Sequence, residues 1–306
     1  MRYIHLKRKH GDPMNLSKYE MLAAVVEQGS LTLAAGELGC TQSAVSHSID
    51  SLEKELGFSV LKRGRAGVSL TAEGERLMPA VRALLNSAEQ LGQTAAAIRG
   101  LDAGTVRIGA FTSVAVHWLP GVLKEFQADY PKVEFILLNG DYHDVEQWLQ
   151  DGSIDIGFVT VPCALDCECI PLMEDRLLAI LPPDSRFASY PKFPLTECET
   201  EPFISLLKSS DHDARRALKA AGVEPNVRFY TKDDYAVIAM VEQGLGMSIM
   251  PELLLKGRKD RLLTLPLIPE AKRTIGIAIA AGEKAGPATR RFADYVVRYV
   301  TEQAGK

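Results

Sequence analysis

Length, composition and charge exclude several classes of protein. At 306 residues the chain exceeds the size of one ordinary core, which predicts two or three domains. Apolar residues make up 46% and charged residues 24%, as in soluble globular proteins, and this argues against long disordered regions. The formal net charge is -4, so binding to a polyanion would require a local basic patch.

The charge is unevenly distributed along the chain. Residues 1–71 hold 9 lysines and arginines against 7 acidic residues, so this part is mildly basic and the rest is acidic. No run approaches the roughly 20 apolar residues that span a bilayer, and the basic start lacks the apolar stretch of a secretory signal. We therefore expect a cytoplasmic protein with no membrane partner, its cysteines mostly thiols, and residues 1–13 as a flexible extension, with Met14 as an alternative start.

The first part of the chain has the pattern of a helix-turn-helix. Helices are predicted over Leu16–Gly29, Leu31–Leu38 and Thr41–Leu56. Gly29 would end the first helix in a left-handed conformation, and Ser30 and Thr41 are the expected N-caps of the next two. Two helices joined by a tight turn, with a third before them, form this DNA-binding motif.

The third helix has a face suited to DNA. Its expected buried stripe consists of Ala44, Val45, Ile49, Leu52 and Leu56. After Thr41, the other early positions are hydrogen-bonding side chains without a carboxylate: Gln42, Ser43, Ser46, His47 and Ser48. Such a helix start can approach phosphates, and glutamine can pair bidentately with adenine in the major groove. The alternative is a solvated amphipathic face, which usually includes Glu and Lys.

A basic segment follows this helix. Lys62, Arg63 and Arg65 lie among glycines between two short extended runs. This pattern predicts a hairpin wing whose cations contact the DNA backbone, adding affinity but no sequence information.

A long helix is predicted from about Thr71 to Arg99. Its apolar residues recur at alternating steps of four and three, at Leu77, Val81, Leu84, Ala88, Leu91, Ala95 and Ile98. This spacing is an a/d heptad seam, which predicts dimerisation through the helix. The alternative is that the seam packs on the chain's own core.

From Thr105 onward, short β-branched runs alternate with helical segments. Strands are predicted to begin at Val106, Val133, Ile154, Leu177, Phe203 and Ile275. This alternation predicts βαβ units and a largely parallel sheet.

Sheets of this kind bind ligands at the carboxyl ends of their strands. Thr112 and Ser113 follow the first predicted strand and precede a helix, so they are candidates to hold an anion such as a carboxylate. Thr160 and Ser205 end other strands, and Gly246 allows close backbone approach to a ligand. For each hydroxyl the alternative role is that of a helix cap or turn residue.

Two further groups of side chains have possible chemistry. Cys163, Cys167 and Cys169 lie within seven residues and are candidates for a zinc or soft-metal site or a redox switch. A fourth ligand is not evident, with Cys198 and His212 as candidates, and the alternative is thiols without chemistry near a hinge. The Asp211-His-Asp sequence suggests a metal or a general base, or more simply a surface helix cap. No catalytic constellation or dinucleotide fingerprint stands out, so we expect no enzymatic activity and no cofactor.

Several sequence blocks resemble the LysR-type transcriptional regulators. They are Ser30-Leu-Thr-Leu-Ala-Ala, Thr41-Gln-Ser-Ala-Val-Ser-His, Leu52-Glu-Lys-Glu-Leu-Gly-Phe and Arg63-Gly-Arg-Ala-Gly-Val-Ser-Leu-Thr-Ala-Glu-Gly74, followed later by Leu149-Gln-Asp-Gly-Ser-Ile-Asp-Ile-Gly and Val241-Glu-Gln-Gly-Leu-Gly-Met-Ser-Ile-Met-Pro251. The resemblance covers nearly everything from Met14 to about Val300. Departures occur at Ser43, His47, Ser48 and Leu61, which leave the docking mode intact but make the operator sequence unpredictable.

The resemblance implies an α/β protein with a winged helix-turn-helix (14–71), a dimerising linker helix (72–100) and a periplasmic-binding-protein-like effector domain (104–306). Subdomain I of the effector domain would comprise 104–162 and 270–303, and subdomain II 163–269. By the same resemblance, the partners are promoter DNA, further copies of the chain as a dimer or tetramer, and a small-molecule effector held between the subdomains. RNA polymerase is a further candidate partner.

Overall fold

The computed structural model describes residues 16–64, 67–98, 103–163, 165, 167–207, 213–258, 260–280 and 285–304. The expected extension 1–13 lies outside the described residues. The chain divides into two compact units, Met1–Leu91 and Gly92–Lys306.

The described elements of the first unit are helices and one hairpin: α1 (Leu16–Gln28), α2 (Leu31–Glu37), α3 (Gln42–Leu56), β1 (Leu61–Gly64), β2 (Gly67–Leu70) and α4 (Ala72–Ile98), which continues into the second unit. The predicted helices and wing hairpin are confirmed. Ser30 and Thr41 cap α2 and α3 through their hydroxyls, which accept from the amides of Leu33 and Ala44. Gly29 is left-handed, with φ 60°.

The core of the first unit forms where the three helices meet. Fully buried side chains of this core include Leu22, Val25, Val45, Ile49, Leu52 and Val60. Ala44 was expected in the buried stripe of α3, but it is exposed. Val45, Ile49 and Leu52 follow the i, i+4, i+7 spacing of one helix face, and Ala44 precedes this set by one residue, about 100° around the helix.

The two halves of α4 differ in their surroundings. Val81 is 2% exposed and packs with Met78 in the core of the first unit, with Leu77 partly buried beside them. Leu91 and Ile98, on the same seam, are 72% and 82% exposed. The start of the seam therefore packs on the chain's own core, as the alternative predicted, whereas its end is exposed.

The second unit contains a large sheet flanked by helices. Its described elements are β3 (Ala103–Ala110), α5 (Thr112–His117), α6 (Leu119–Asp129), β4 (Lys132–Asn139), α7 (Tyr142–Asp151), β5 (Ile156–Val161), β6 (Glu168–Leu181), β7 (Phe193–Pro194), β8 (Phe203–Leu206), α8 (Asp213–Ala220), β9 (Val227–Thr231), α9 (Asp234–Glu242), β10 (Ser248–Pro251), β11 (Leu263–Ile268), β12 (Lys272–Ile279) and α10 (Pro287–Ala304). Short 3-10 helices cover Arg186–Ser189, Leu195–Glu199 and Glu252–Leu255.

The large sheet is mixed, which corrects the expectation of a largely parallel one. Its strand order is β4-β3-β5-β12-β6-β11-β7, with β10 also paired to β6, and β8 pairs with β9 separately. Strand β3 is parallel to β4 and β5, as helical crossovers require. Strand β12 is antiparallel to both of its neighbours, and β6 is antiparallel to β10, β11 and β12.

Strand β6 connects two cores. Its first part, Glu168–Arg176, pairs with β12, and its last part, Leu177–Leu181, pairs with β10 and β11. One core contains Trp118, Phe126, Phe158 and Phe292, and another contains Leu177, Phe187, Phe193 and Phe203. The subdomain limits given above stay predictions.

Candidate DNA-reading surface and effector cavity

The start of α3 is an exposed polar surface. Thr41, Gln42, Ser43 and His47 are exposed, and Ser46 and Ser48 are half-buried. Ala44 adds an exposed methyl group to this surface, which is of the kind that contacts the thymine methyl in the major groove. The first turn of α3 contains no acidic residue, so an anion that approaches this end of the helix meets no competing carboxylate there.

The wing is attached to α3 by hydrogen bonds. The Glu53 carboxylate accepts from the amides of Val60 and Leu61, at 2.7 and 3.1 Å. From β1, the Arg63 guanidinium donates to Ser46 Oγ at 3.0 Å and to Asp50 Oδ1 at 2.6 Å. These contacts fix the direction of the wing relative to the candidate reading helix.

The structure describes two of the three predicted wing cations. Lys62 and Arg63 are exposed on β1, whereas Arg65 lies outside the described residues. Asp50 pairs with Arg63, and both side chains remain substantially exposed. This exposed pair contributes little stability, so Arg63 can exchange Asp50 for a phosphate at small cost.

A cavity of about 580 Å³ lies in the second unit. Its walls come from the start of α5, the β4–α7 connection, the start of α9 and strand β10. Thr112 and Ser113 line it, as the strand-end argument predicted. Its charged lining consists of Asp141, Asp144, Asp213, Lys232, Asp233, Asp234 and Arg273.

The other predicted effector residues lie outside this lining, and each has another structural role. Thr160 is in β5, where it pairs with Ile275. Ser205 is buried and its hydroxyl donates to the Leu206 carbonyl at 2.9 Å. A Cβ at Gly246 would come within 2.4 Å of the Pro202 carbonyl oxygen, so this glycine permits close backbone packing. These three residues therefore do not line this cavity, and their part in effector binding stays a prediction.

A buried polar network forms the floor of the cavity. Arg273 donates to Ser113 Oγ at 2.8 Å and also to the Tyr142 hydroxyl. Its guanidinium pairs with Asp175 at 2.6 Å, and both of these side chains are 2% exposed. Tyr142 in turn donates to Asp213 Oδ2 at 2.5 Å. The Ser113 hydroxyl, expected to contact an effector anion, is therefore already engaged by a cation of the protein.

Burial shifts the titration of this network. It raises the pKa of the Tyr142 hydroxyl, which stays protonated and donates to Asp213. Burial likewise raises the pKa of Asp175, and the positive charge of Arg273 opposes this shift. Burial lowers the pKa of Arg273, but the negative charges of Asp175 and Asp213 and the hydrogen bond to Asp175 raise it overall, so the guanidinium stays charged.

Sequence reasoning missed Tyr142, Asp175 and Arg273. Asp213 was considered only as part of a surface cap or metal group, yet it is 6% exposed and binds Arg216 at 3.0 Å. A signal was present, because Arg273 lies two residues before Ile275 and so occupies the same buried face of β12 as Ile275, Ile277 and Ile279. A charged residue at a buried strand position requires a charged partner.

Among the described residues, no helix is both long and apolar enough to cross a membrane.

Family models match both parts of the chain. Residues 16–75 match the model described as the bacterial regulatory helix-turn-helix protein, lysR family. Residues 99–301 match the LysR substrate binding domain. Among curated relatives, the chain is 30% identical over 282 residues to the transcriptional regulator YvbU of Bacillus subtilis, covering 91% of this chain and 96% of YvbU. It is 32% identical over 293 residues to the probable regulator LrrA of Synechococcus elongatus, covering 92% and 96%.

Solved structures share the fold. A full-length OxyR variant from Pseudomonas aeruginosa matches with a TM-score of 0.75 at 18% identity, covering 95% of each chain. CbnR complexed with its target DNA matches with a TM-score of 0.64 at 23% identity, covering 94% of this chain and all of CbnR. The effector binding domain of QuiR in complex with shikimate matches with a TM-score of 0.58 at 20% identity, covering 65% and 98%. The family models and relatives establish that the chain belongs to the LysR family of DNA-binding transcriptional regulators.

Proposed function

We propose that this LysR-family regulator reads promoter DNA through the start of α3 and the wing, and responds to a small molecule bound in the cavity of its second unit. It acts in the cytoplasm as a homodimer or a tetramer, and it regulates transcription without catalysing a reaction. RNA polymerase is a further partner to test. The observation that carries the proposal is the exposed, acid-free first turn of α3 beside the cations of the wing.

The chemistry of the two surfaces supports a division of roles. Gln42 and His47 project from α3 and can hydrogen-bond to base edges, whereas Lys62 and Arg63 on the wing offer positive charge to phosphates. The match to CbnR, whose structure contains target DNA, supports DNA binding by this chain. Sequence choice would then depend on α3 and most of the salt-sensitive affinity on the wing.

The size of the cavity supports a small-molecule effector. Its volume of about 580 Å³ falls within the range of roughly 300–1,000 Å³ typical of small-molecule sites. The related QuiR domain holds shikimate, which favours a polar effector here as well. The lining carries five aspartates against Lys232 and Arg273, so amines and amino acids belong in a ligand screen beside carboxylates.

A mobility-shift assay tests the DNA-binding part. The full-length protein should bind a fragment of its own promoter region, and raising the salt concentration should weaken binding steeply because phosphate contacts release counterions. Binding that is insensitive to salt, or equal on a scrambled fragment, would count against the proposal.

Thermal-shift screening tests the effector part. A ligand of the cavity should raise the Tm of the full-length protein, and the shift should grow with the logarithm of the ligand concentration above its Kd. Val116→Trp, which places a large side chain in the cavity wall, should abolish this shift. The matched control is Ile136→Trp, at a similarly exposed position on β4 outside the lining, which should leave the shift intact. An equal effect of both substitutions would place the ligand elsewhere.

A further inference from the structure

Three cysteines lie together at the start of β6. The Sγ atoms of Cys163, Cys167 and Cys169 are all within 4.8 Å of one another, and the three residues are half-buried. Cys163 and Cys169 are joined as a disulfide, and Cys167 Sγ lies 3.7 Å from Cys169 Sγ. The three cysteines that are close in the sequence therefore also have their sulfur atoms close together in the fold.

The surroundings of the cluster are apolar and ordered by the sheet. Cys169 is in β6 and pairs with Ala278 of β12. All three cysteines pack against an apolar group that includes Val145 and Leu149 of α7. One ligand position is therefore fixed by strand pairing, and the site is partly shielded from water, which strengthens binding of a charged ligand.

The spacing of these residues fits an ion held among sulfurs. The Cα atoms of Cys163 and Cys169 are 7.5 Å apart, beyond the span of about 4.4–6.8 Å usual for disulfides. With metal–sulfur bonds of about 2.3 Å, two thiolates on one tetrahedral ion lie roughly 3.8 Å apart. The sulfurs of Cys167 and Cys169 have this separation.

Local charge favours a divalent ion. Three thiolates would carry three negative charges, and the exposed Glu168 between two of them adds a fourth. No lysine or arginine occurs between Cys163 and Cys169 in the sequence. A divalent cation neutralises more of this charge than a monovalent one does.

Cys198, considered above as a fourth ligand, lies in a different core from the three clustered cysteines. It is fully buried in another core, where its thiol lies 3.9 Å from Met247 Sδ. His212 lies outside the described residues. A site built from the three clustered cysteines therefore leaves its fourth position to water.

We propose that Cys163, Cys167 and Cys169, once reduced, bind one divalent thiophilic metal ion of the Zn²⁺ or Cd²⁺ type. A phosphine reductant opens the disulfide by taking up the oxygen of one water molecule, and the two sulfurs become thiols. On metal binding the three thiols lose three protons to solvent, and three sulfur–metal bonds replace bonds from the ion to water. No electron is transferred in this second step.

Cadmium titration of the full-length protein tests this site. The protein is reduced with a phosphine, freed of reductant under nitrogen and titrated with Cd²⁺ while the ultraviolet thiolate-to-metal absorption is recorded. We expect the band to saturate at one ion per chain. Because thiolates favour the softer Cd²⁺, only a large excess of Zn²⁺ should reduce the band. Cys163→Ser, Cys167→Ser and Cys169→Ser should each weaken binding at least about tenfold. Cys40→Ser, which alters a half-buried cysteine of the first unit, is the matched control and should bind as the unmodified protein does.

Alkylation of the unmodified protein provides a second test that does not depend on the folding of variants. Cd²⁺ should protect the three clustered cysteines from iodoacetamide, as read by mass spectrometry, and leave Cys40 equally reactive. Full binding by Cys167→Ser would overturn the three-thiolate site. Stoichiometric binding by the triple serine variant, or no protection of the cluster by saturating Cd²⁺, would overturn the proposal as well.

Discussion

Arg273 and Asp175 lie opposite each other on paired strands and form a buried ion pair at 2.6 Å. Asp175 also accepts from the amide of Leu253 at 2.9 Å, while Arg273 reaches Ser113 and Tyr142 at the cavity. The pair thus connects the central strands β6 and β12 to the cavity wall.

Replacing Arg273 should be strongly destabilising. Arg273→Ala leaves Asp175 charged and buried without its counter-ion, which costs about 3–5 kcal/mol of unfolding free energy. Urea denaturation of the full-length protein, followed through the transition of the second unit, measures this loss.

The neighbouring residue Lys272 supplies the control. It pairs with Glu174 on the same two strands, but both side chains are about 60% exposed. Lys272→Ala should therefore cost no more than about 1 kcal/mol. In an Asp175→Asn background, Arg273→Ala should cost less than it does alone, because no buried ion is left unpaired. Equal costs for Arg273→Ala and Lys272→Ala would contradict the structural role of the pair.

The contacts of Arg273 could not be predicted from the sequence, whereas the helix caps could. Local rules predicted the caps at Ser30 and Thr41 because each depends on residues three positions apart. The pairing of Arg273 with Ser113 joins residues 160 positions apart. Only the sheet order brings such residues together, so hydroxyls at strand ends were predicted but the cation that binds one of them was not.

Cys198 should make the second unit sensitive to alkaline pH. Burial raises the pKa of its thiol from 9.0 to about 12. The unfolded chain therefore loses this proton first, and the free energy of unfolding falls as the pH rises from about 9 toward 12. The slope from this one group is at most about 1.4 kcal/mol per pH unit.

Comparison with Cys198→Ala isolates this contribution. The variant should show a shallower loss of unfolding free energy between pH 9 and 11 than the unmodified protein, whatever constant difference separates them at pH 7. Cys40→Ala, at a half-buried cysteine of the first unit, is the control and should retain the steep loss in the second unit. Parallel curves for Cys198→Ala and the unmodified protein would show that the buried thiol does not titrate as described.

The exposed end of the α4 seam predicts a self-association surface. Leu91 and Ile98 are seven residues apart and largely exposed, so they lie on one helix face that a second copy can cover. Leu91→Glu should shift the protein toward monomers in sedimentation equilibrium at micromolar concentration, because burying a carboxylate in the seam is costly. Ala83→Glu, at an exposed position off the seam, should leave the oligomeric state unchanged. A dimer that tolerates Leu91→Glu would place the interface elsewhere.

The sheet shows a second limit of prediction from sequence. Strand β9 is exposed over most of its length, and β11 contains Pro266, so neither has the buried β-branched run that identified the other strands. The antiparallel direction of β12 was also unpredictable. Alternation of strands and helices predicts parallel neighbours, and it does not give the direction of a strand that returns from the other half of the unit. The elements were largely predicted, but their pairing was not.

Gln42 and Arg63 should affect DNA binding in different ways. Gln42→Ala removes an exposed amide from the start of α3, so it should reduce discrimination at one operator base pair by about 1–3 kcal/mol. Arg63→Ala removes a wing cation, so it should weaken all operator variants by the same factor and reduce the salt slope by about one. Fluorescence anisotropy on a panel of single-base operator variants, repeated at several salt concentrations, measures both effects.

The contact between Arg63 and Asp50 suggests a further variant for the same binding experiment. Asp50→Asn removes the carboxylate that holds Arg63, and with it a negative charge near the DNA, so it should strengthen binding to all sites without changing their order. Arg63 also donates to Ser46 on the reading helix, through the second nitrogen of its guanidinium. The substitution Arg63→Lys keeps the positive charge, but the single ammonium group cannot reproduce this forked contact to Ser46 and Asp50. If Arg63→Lys changes base preference as Gln42→Ala does, then Arg63 orients α3 for base reading, and assigning it to phosphate alone would be wrong.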